Sequence, residues 1–334
     1  MAQSRNSLDD SEYTTRFLRL DGAINNLAFN IRREWRAVPY WLGSYVNKEA
    51  PTTATKEMTA VGRACISKWV MDEILDRLFH PALEPTLSCQ LKIIEKNLRR
   101  FASPTPTDEE REALTAKISN WRLSTIDGLQ DMLASHDALA FRNSLTEDLV
   151  KGLTQSLMVN LKEPPPLGLD AGIVGIVELA VGIAANIPLE SRDVFVEYIM
   201  PGTLFSESYM KVENALPALT NPGEKVEDDS TGSDRAEEKG EADLDSGKDV
   251  PVQVTQTQQL QQLQQQQGKK KGRFGGLMAS NKKPPQGLPP PPGNPRGTDP
   301  PLSQAPKEER VRFAAFMAVE VRGRSTLVKA PVYI

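Results

Sequence analysis

The stretch TTRFLRLDGAINNLAFNIRREWRAV, residues 14–38, decides the class of fold. Its apolar residues Phe17, Leu20, Ile24, Leu27, Ile31, Trp35 and Val38 follow one another at steps of 3, 4, 3, 4, 4 and 3. At the helical period these positions share one stripe, and Arg16, Arg19, Asp21, Asn25, Arg32 and Arg33 take the wetter faces. Pro39 ends the run, because proline lacks an amide donor and its ring clashes with the preceding turn. The spacing therefore predicts an amphipathic helix whose stripe must be covered by other helices. Its first half is near enough to a heptad for a short coiled coil as the second reading.

The same period recurs downstream. A second helix is expected over residues 55–79, with Met58, Val61, Cys65 and Trp69 inward and His80-Pro81 as the stop. A third, over residues 86–101, has Leu87, Leu91, Ile94, Leu98 and Phe101 at steps of 4, 3, 4 and 3. Before the second helix, Pro39-Tyr-Trp-Leu-Gly-Ser-Tyr-Val46 packs three aromatics into a connector too apolar to lie free in water, and it should wedge between helices. Thr107-Asp-Glu-Glu110 reads as a capping box opening a helix, and Ser144-Leu-Thr-Glu147 reads as a second one ahead of Leu149, Leu153 and Leu157. Pro164-Pro165-Pro166 makes a rigid break. A Gly/Ala-rich apolar helix follows from Asp170, then further helical pieces over residues 191–200 and up to Ala215. All four tryptophans, at 35, 41, 69 and 121, lie in this body.

The apolar run over residues 171–187 resembles a membrane span but is short for one, with Glu178 in its middle and Pro188 after it. A span needs ~20 apolar residues, and a mid-bilayer carboxylate costs roughly 2.5–3.5 kcal/mol. A buried helix is the expectation, without membrane insertion. Glycines 172 and 175 do not follow the dinucleotide spacing, and no strand pattern precedes them, so they read as points of close helix packing.

Composition changes sharply after this body. Over the whole 334 residues the chain is 39% hydrophobic and 25% charged, with a net charge of −4, which argues against a protein built to coat nucleic acid. Residues 221–310, by contrast, hold 12 Pro, 11 Gly and 12 Gln with Phe274 as the one aromatic, too little apolar surface to offset the entropy of ordering. A long disordered segment is the expectation. Within it, residues 224–249 carry a net charge of −7, residues 256–267 contain nine glutamines, and residues 269–283 carry six bases and no acid. The basic residues Lys269, Lys270, Lys271, Arg273, Lys282 and Lys283 form a weak candidate for nuclear import or for a polyanionic surface. Pro289, Pro290, Pro291 and Pro292 close a proline-rich stretch begun at Pro284. A polyproline II ligand of this kind loses little entropy on docking into an aromatic groove.

From Val311 the period changes to two. Val311, Phe313, Ala315, Met317, Val319 and Val321 alternate with their neighbours, and Arg322-Gly-Arg-Ser325 offers a turn before residues 326–334. This predicts a C-terminal β-hairpin, with an amphipathic helix over residues 308–321 as the runner-up. Two strands alone are marginal in water, and Phe313 and Phe316 place apolar groups on both faces. The tail is therefore expected to dock on the helical domain or on a partner, possession of those two phenylalanines making it a candidate protein-interaction element.

The runs Asn30-Ile-Arg-Arg-Glu-Trp35, Val38-Pro-Tyr-Trp-Leu42, Glu57-Met-Thr-Ala-Val-Gly-Arg-Ala64, Asp72-Glu-Ile74 and Leu91-Lys-Ile-Ile-Glu-Lys-Asn97 resemble a group of uncharacterised proteins of filamentous fungi. The resemblance covers about residues 14–220. It implies an intracellular α-helical domain and carries over no activity and no catalytic residue.

Chemistry-bearing residues are sparse. Cys65 and Cys89 sit among apolar helical neighbours, which fits a reduced compartment, and Cys65, His80 and Cys89 at separations of 15 and 9 lack the spacing of a zinc site. The polar first ten residues hold no apolar core of a secretory signal. No nucleophile elbow, phosphate loop or kinase signature is present, and Asp72-Glu73 and Glu109-Glu110 read as solvated helix faces. The reading that results is a mainly α protein. It comprises a disordered start (1–13), an irregular multi-helix bundle (14–220), a disordered acidic, Gln-rich, basic and Pro-rich linker (221–310), and the hairpin tail (311–334). No metal, cofactor or catalytic residue is expected. The function expected is that of a cytoplasmic, or nuclear, scaffold or adaptor whose partners include a domain that binds Pro-rich ligands, with self-association allowed. The alternatives are a nuclear regulator meeting nucleic acid through residues 269–283 and the Gln tract, and an enzyme with an unrecognised site.

Overall fold

Helix α1 (Asp10–Ile31) buries the stripe read from its sequence: Phe17, Leu20, Ile24, Leu27 and Ile31 all lie in the core. It starts at Asp9, whose carboxylate accepts the Glu12 amide at 2.7 Å. A computed structural model of the chain describes residues 8–100, 107–213, 216–220 and 309–334, all of them in one compact unit. Within it α1 packs against α3 (Thr55–Val70) and α8 (Leu169–Asn186). Two glycines set these approaches. A Cβ at Gly62 would lie 3.0 Å from Ala28 Cβ and 3.3 Å from Ala28 Cα, and one at Gly172 would lie 2.8 Å from Leu27 Cδ1.

The remaining helices are α2 (Ala50–Thr53), α4 (Pro85–Arg100), α5 (Asp108–Gly128), α6 (Gln130–Leu133) and α7 (His136–Met158), which make eight among the described residues. A 3-10 turn (Tyr40–Tyr45) fills the aromatic connector and drives Leu42 into the core. Helix α3 continues as one π-helical turn (Met71–Leu75) before the chain reaches His80. The capping box at Thr107 is formed, with the Glu110 amide donating to Thr107 Oγ1 at 3.2 Å and the Thr107 amide to Glu110 Oε2 at 2.9 Å.

Several local expectations are corrected. Helix α1 ends at Ile31, and Trp35 reaches the core from the following loop, where it bridges Leu161. The Ser144 box is not a helix start, because α7 already begins behind Ser135, whose hydroxyl accepts the Ala138 amide. Residues 191–200 and the run towards Ala215 contain strands β1 (Val194–Glu197) and β2 (Met210–Val212) rather than helix. Val194, Phe195, Val196 and Tyr198 are β-branched or aromatic, and a distant partner strand supplies the ladder that a helix would have closed locally. The α8 region, Leu169–Leu189, is long and apolar enough to cross a membrane by length and composition, with a hydropathy of 1.9. The run that looked short over residues 171–187 is thus extended. Ile173, Ile176, Val177 and Ala180 are nevertheless fully enclosed by the body.

The C-terminal tail forms β3 (Phe313–Ala314), β4 (Ala318–Val321), β5 (Ser325–Val328) and β6 (Ala330–Tyr333). Strands β4 and β5 make the hairpin expected from the sequence, turning at Gly323, whose φ of +74° suits glycine. The hairpin does not stand alone. β4 is the central strand of a sheet ordered β1-β4-β5, and β6 is the central strand of a second sheet ordered β2-β6-β3, in which β2 runs parallel to β6. Helix α3 holds the tail through Ser67, which donates to the Ala315 carbonyl at 2.8 Å, and Tyr198 donates to the Ala314 carbonyl at the same distance.

Candidate functional site

Trp35, Trp41 and Trp69 line one cleft of about 390 Å³, between the end of α1, the 3-10 turn, α3 and the end of α7. The first wall is fixed by backbone pairing. The Arg36 and Ala37 amides donate to the Asn160 carbonyl at 2.8 and 3.3 Å, and the Lys162 amide donates to the Glu34 carbonyl at 2.7 Å. These bonds hold the Trp35 loop against the C-terminal end of α7, which contributes Ser156, Leu157, Val159 and Asn160. Trp41 sits on the 3-10 turn and meets the Tyr198 ring edge-on, with centroids 6.4 Å apart at 78°. Trp69 lies one turn beyond Cys65 on α3, and Gly152 of α7 makes room for it, since a Cβ there would come within 3.3 Å of Trp69 Cζ2.

Charge in the cleft is balanced internally. Lys68 and Asp72 stand four residues apart and form an ion pair, and the Lys68 ammonium lies 5.9 Å from the centre of the Trp41 ring. Burial pushes the Cys65 thiol far above its ordinary range, so it stays protonated at neutral pH and is not activated as a nucleophile. Among the described residues, the buried indole N–H of Trp35 has no hydrogen-bond partner. Of the apolar residues that line the cleft, Val159 is 67% exposed. The cleft thus brings three tryptophans beside one self-neutralised ion pair.

The densest group of ionisable residues lies elsewhere and serves packing. Glu95 of α4, Arg122 of α5 and Asp193 before β1 are all buried, with Arg99 beside them. Arg122 donates to the Glu190 and Arg192 carbonyls at 3.1 and 2.8 Å and lies 3.4 Å from Asp193. Burial alone would raise the carboxyls. Lys92, Arg122 and Arg99 outweigh it at Glu95, and Arg99, Arg122 and Arg322 outweigh it at Asp193, so both are held below the ordinary range. Both are thus ionised near neutrality and fully engaged, which suits a structural node rather than proton transfer. No group of three or more His, Cys, Asp or Glu among the described residues is arranged to hold a metal, and Cys65 and Cys89 are free thiols.

The residues singled out from the sequence fall in two places. Phe313 and Phe316 are fully buried in this chain's own core, so neither is presented to a partner; the alternation of the tail showed that they need cover but could not say which surface gives it. Pro289, Pro290, Pro291, Pro292, Lys269, Lys270, Lys271, Arg273, Lys282 and Lys283 lie outside the described residues. The cleft itself was not read from the sequence. Trp35 and Trp69 satisfied helical stripes and were assigned inward, and the dense aromatics of the connector were the one available signal. Comparisons of the chain with family models, with curated proteins and with solved structures give no match.

Proposed function

We propose that the chain is a non-enzymatic scaffold or adaptor. Its helical body holds a partner in the tryptophan cleft, and the proline-rich stretch at residues 284–292 offers a second attachment to domains that recognise such ligands. The observation that supports this reading is the cleft, about 390 Å³, with three tryptophans among its lining residues and the exposed Val159 at its edge. Tryptophan is the residue most enriched where binding energy concentrates, and the volume falls within the ~300–1,000 Å³ usual for binding pockets. The two buried carboxylates that a catalytic reading would recruit, Glu95 and Asp193, are neutralised by arginine. The free thiols of Cys65 and Cys89 support a reduced compartment, cytoplasmic or nuclear, as the place where the chain acts.

Affinity purification tests the proposal with three chains: the full sequence, a Val159→Asp variant at the cleft rim, and a chain lacking residues 253–306. Partners lost with the rim variant assign recognition to the cleft, and partners lost with the deletion assign it to the arm. Recovery of an identical set from all three would overturn the adaptor reading.

A further inference from the structure

We infer that residues 309–334 are held in the body by contact alone, as a separate chain would be, so that hydrolysis of a peptide bond between residues 221 and 308 leaves a stable two-chain protein. The body, residues 8–220, is in this sense a receptor whose partner is the C-terminal segment of its own sequence. The sheets show the division. Of the six strands among the described residues, the body supplies β1 and β2, one to each sheet, and both are edge strands. The tail supplies the other four, including both central ones. Residues 194–197 of β1 pair with residues 318–321, and residues 210–212 of β2 pair with residues 330–332. Neither β1 nor β2 has another strand partner, and the β4–β5 hairpin alone would be marginal in water. Each piece therefore completes the other, as in the addition of strands between chains.

Burial supports the same division. Ala330, Pro331, Val332 and Tyr333 of β6 are all buried. Successive strand residues point to opposite faces, so β6 is covered on both sides rather than laid on a surface. Phe313 and Phe316 are completely enclosed. Such an interface resembles a domain core cut in half, which is the character of obligate association. Polar contacts fix its register: Ser67 Oγ donates to the Ala315 carbonyl at 2.8 Å, and the Arg312 guanidinium reaches the buried Glu57 at 3.1 Å.

The covalent link adds little to this hold. Its two flanks lie at one place on the body. The Thr220 amide donates to Asn47 Oδ1 at 2.8 Å, Arg312 donates to the Pro217 carbonyl at 2.9 Å, and the Phe205 amide donates to the Glu309 carbonyl at 2.9 Å. Once a link is long enough to meet its span, the local concentration it gives falls with about the −3/2 power of its length. A link as long as residues 221–308 thus contributes weakly, and cutting it leaves every contact above in place.

The consequence reaches beyond the adaptor reading and does not depend on it. After a cut between Gly268 and Lys269, the acidic run 224–249 stays joined to Thr220, and the basic and proline-rich runs within residues 269–292 stay joined to Glu309. One body then carries two arms of opposite charge. Proteolysis within this stretch therefore creates new chain ends and spares the fold.

The experiment inserts a recognition sequence for a site-specific protease between Gly268 and Lys269 of the full chain and cuts it to completion without denaturant. The expected result is one particle containing both fragments, by native mass spectrometry and by sedimentation at micromolar concentration. The particle should persist in about 1 M salt, where the Debye length of ~3 Å screens attraction between the arms. The cut chain should also keep a cooperative thermal transition. Its midpoint should rise with protein concentration, because unfolding now releases two chains, whereas the midpoint of the uncut chain should not move. Separation of the fragments without denaturant, dissociation in the high salt, loss of the cooperative transition on cutting, or a cut-chain midpoint that ignores concentration would each overturn the inference.

Discussion

Arg99 grips Asp193 with both ends of its guanidinium, Nη1 to Oδ2 at 2.7 Å and Nη2 to Oδ1 at 2.6 Å. The pair joins α4 to the residue before β1, and the wholly buried Arg122 leans on the same carboxylate at 3.4 Å. Asp193 is thus the counter-charge of two arginines, Arg122 wholly buried and Arg99 largely so. Removing one member of such a group leaves uncompensated buried charge, which costs about 3–5 kcal/mol. Asp193→Ala should lower the free energy of urea unfolding by that amount. Asp108→Ala, which breaks the exposed pair with Arg111, should cost under about 1 kcal/mol through that pair. Equal effects of the two substitutions would refute the structural role of the node.

Acid should weaken the fold in two stages. Burial, with help from Arg142, pushes the His80 imidazole down to about 4, and its Nδ1 accepts the Ala82 amide at 3.1 Å. Between the ordinary histidine value of about 6.5 and that depressed value, the unfolded chain binds a proton that the folded chain does not, so stability falls as pH falls. Asp193 and Glu95, held below the ordinary carboxylate range, keep their full contribution above about pH 4 and lose it as pH drops through their depressed values. His80→Asn retains an acceptor for Ala82 and should flatten the upper stage of the stability–pH curve while leaving the lower one. An unchanged slope between pH 6.5 and 4 would show that His80 is not its source.

How much of this was legible before the structure follows from the range of each interaction. The stripe of α1 and the Thr107 box are local, set by period and by contacts three residues apart, and both are present. Ser144 satisfied the same local rule and failed, because the better cap at Ser135 had already started the helix. β1 failed for a different reason: Val194 and Val196 pair with Val321 and Val319, more than a hundred residues away, and no window around residue 194 contains that information. The cleft was illegible in the same way. Trp35, Trp41 and Trp69 come from three separate segments, brought together by the seam of Arg36, Ala37 and Lys162, by the Trp41–Tyr198 contact and by the close approach of Gly152 to Trp69.

The tail belongs to the core and should behave as core. Phe316 and Phe313 are fully buried among helix residues, and β4 and β6 occupy the centres of their sheets. Phe316→Ala should therefore cost about 3–5 kcal/mol, the range for an enclosed phenylalanine whose cavity cannot collapse. Removal of residues 309–334 should abolish cooperative unfolding altogether, since β1 and β2 then lose their partner strands. Calorimetry of the two chains distinguishes this from a peripheral tail, for which the truncated chain would keep a sharp transition near that of the full sequence.

Arg312 tests how the two flanks of the central segment are held. Its guanidinium donates to Glu57 Oε1 at 3.1 Å, to the Tyr45 carbonyl at 2.9 Å and to the Pro217 carbonyl at 2.9 Å. Glu57 is fully buried and also accepts the Asn47 amide at 3.1 Å, while Asn47 Oδ1 accepts the Thr220 amide at 2.8 Å. Residues on both sides of the stretch 221–308 therefore meet at one polar node under the 3-10 turn. Arg312→Met keeps much of the aliphatic bulk and strands the Glu57 carboxylate, so it should cost about 3–5 kcal/mol. Glu57→Leu combined with Arg312→Met should cost clearly less than the two single substitutions added together, with a coupling of about 2–3 kcal/mol in a double-mutant cycle. Additive losses would mean that Arg312 acts through its two carbonyl contacts alone, and that the buried carboxylate is satisfied by Asn47 without it.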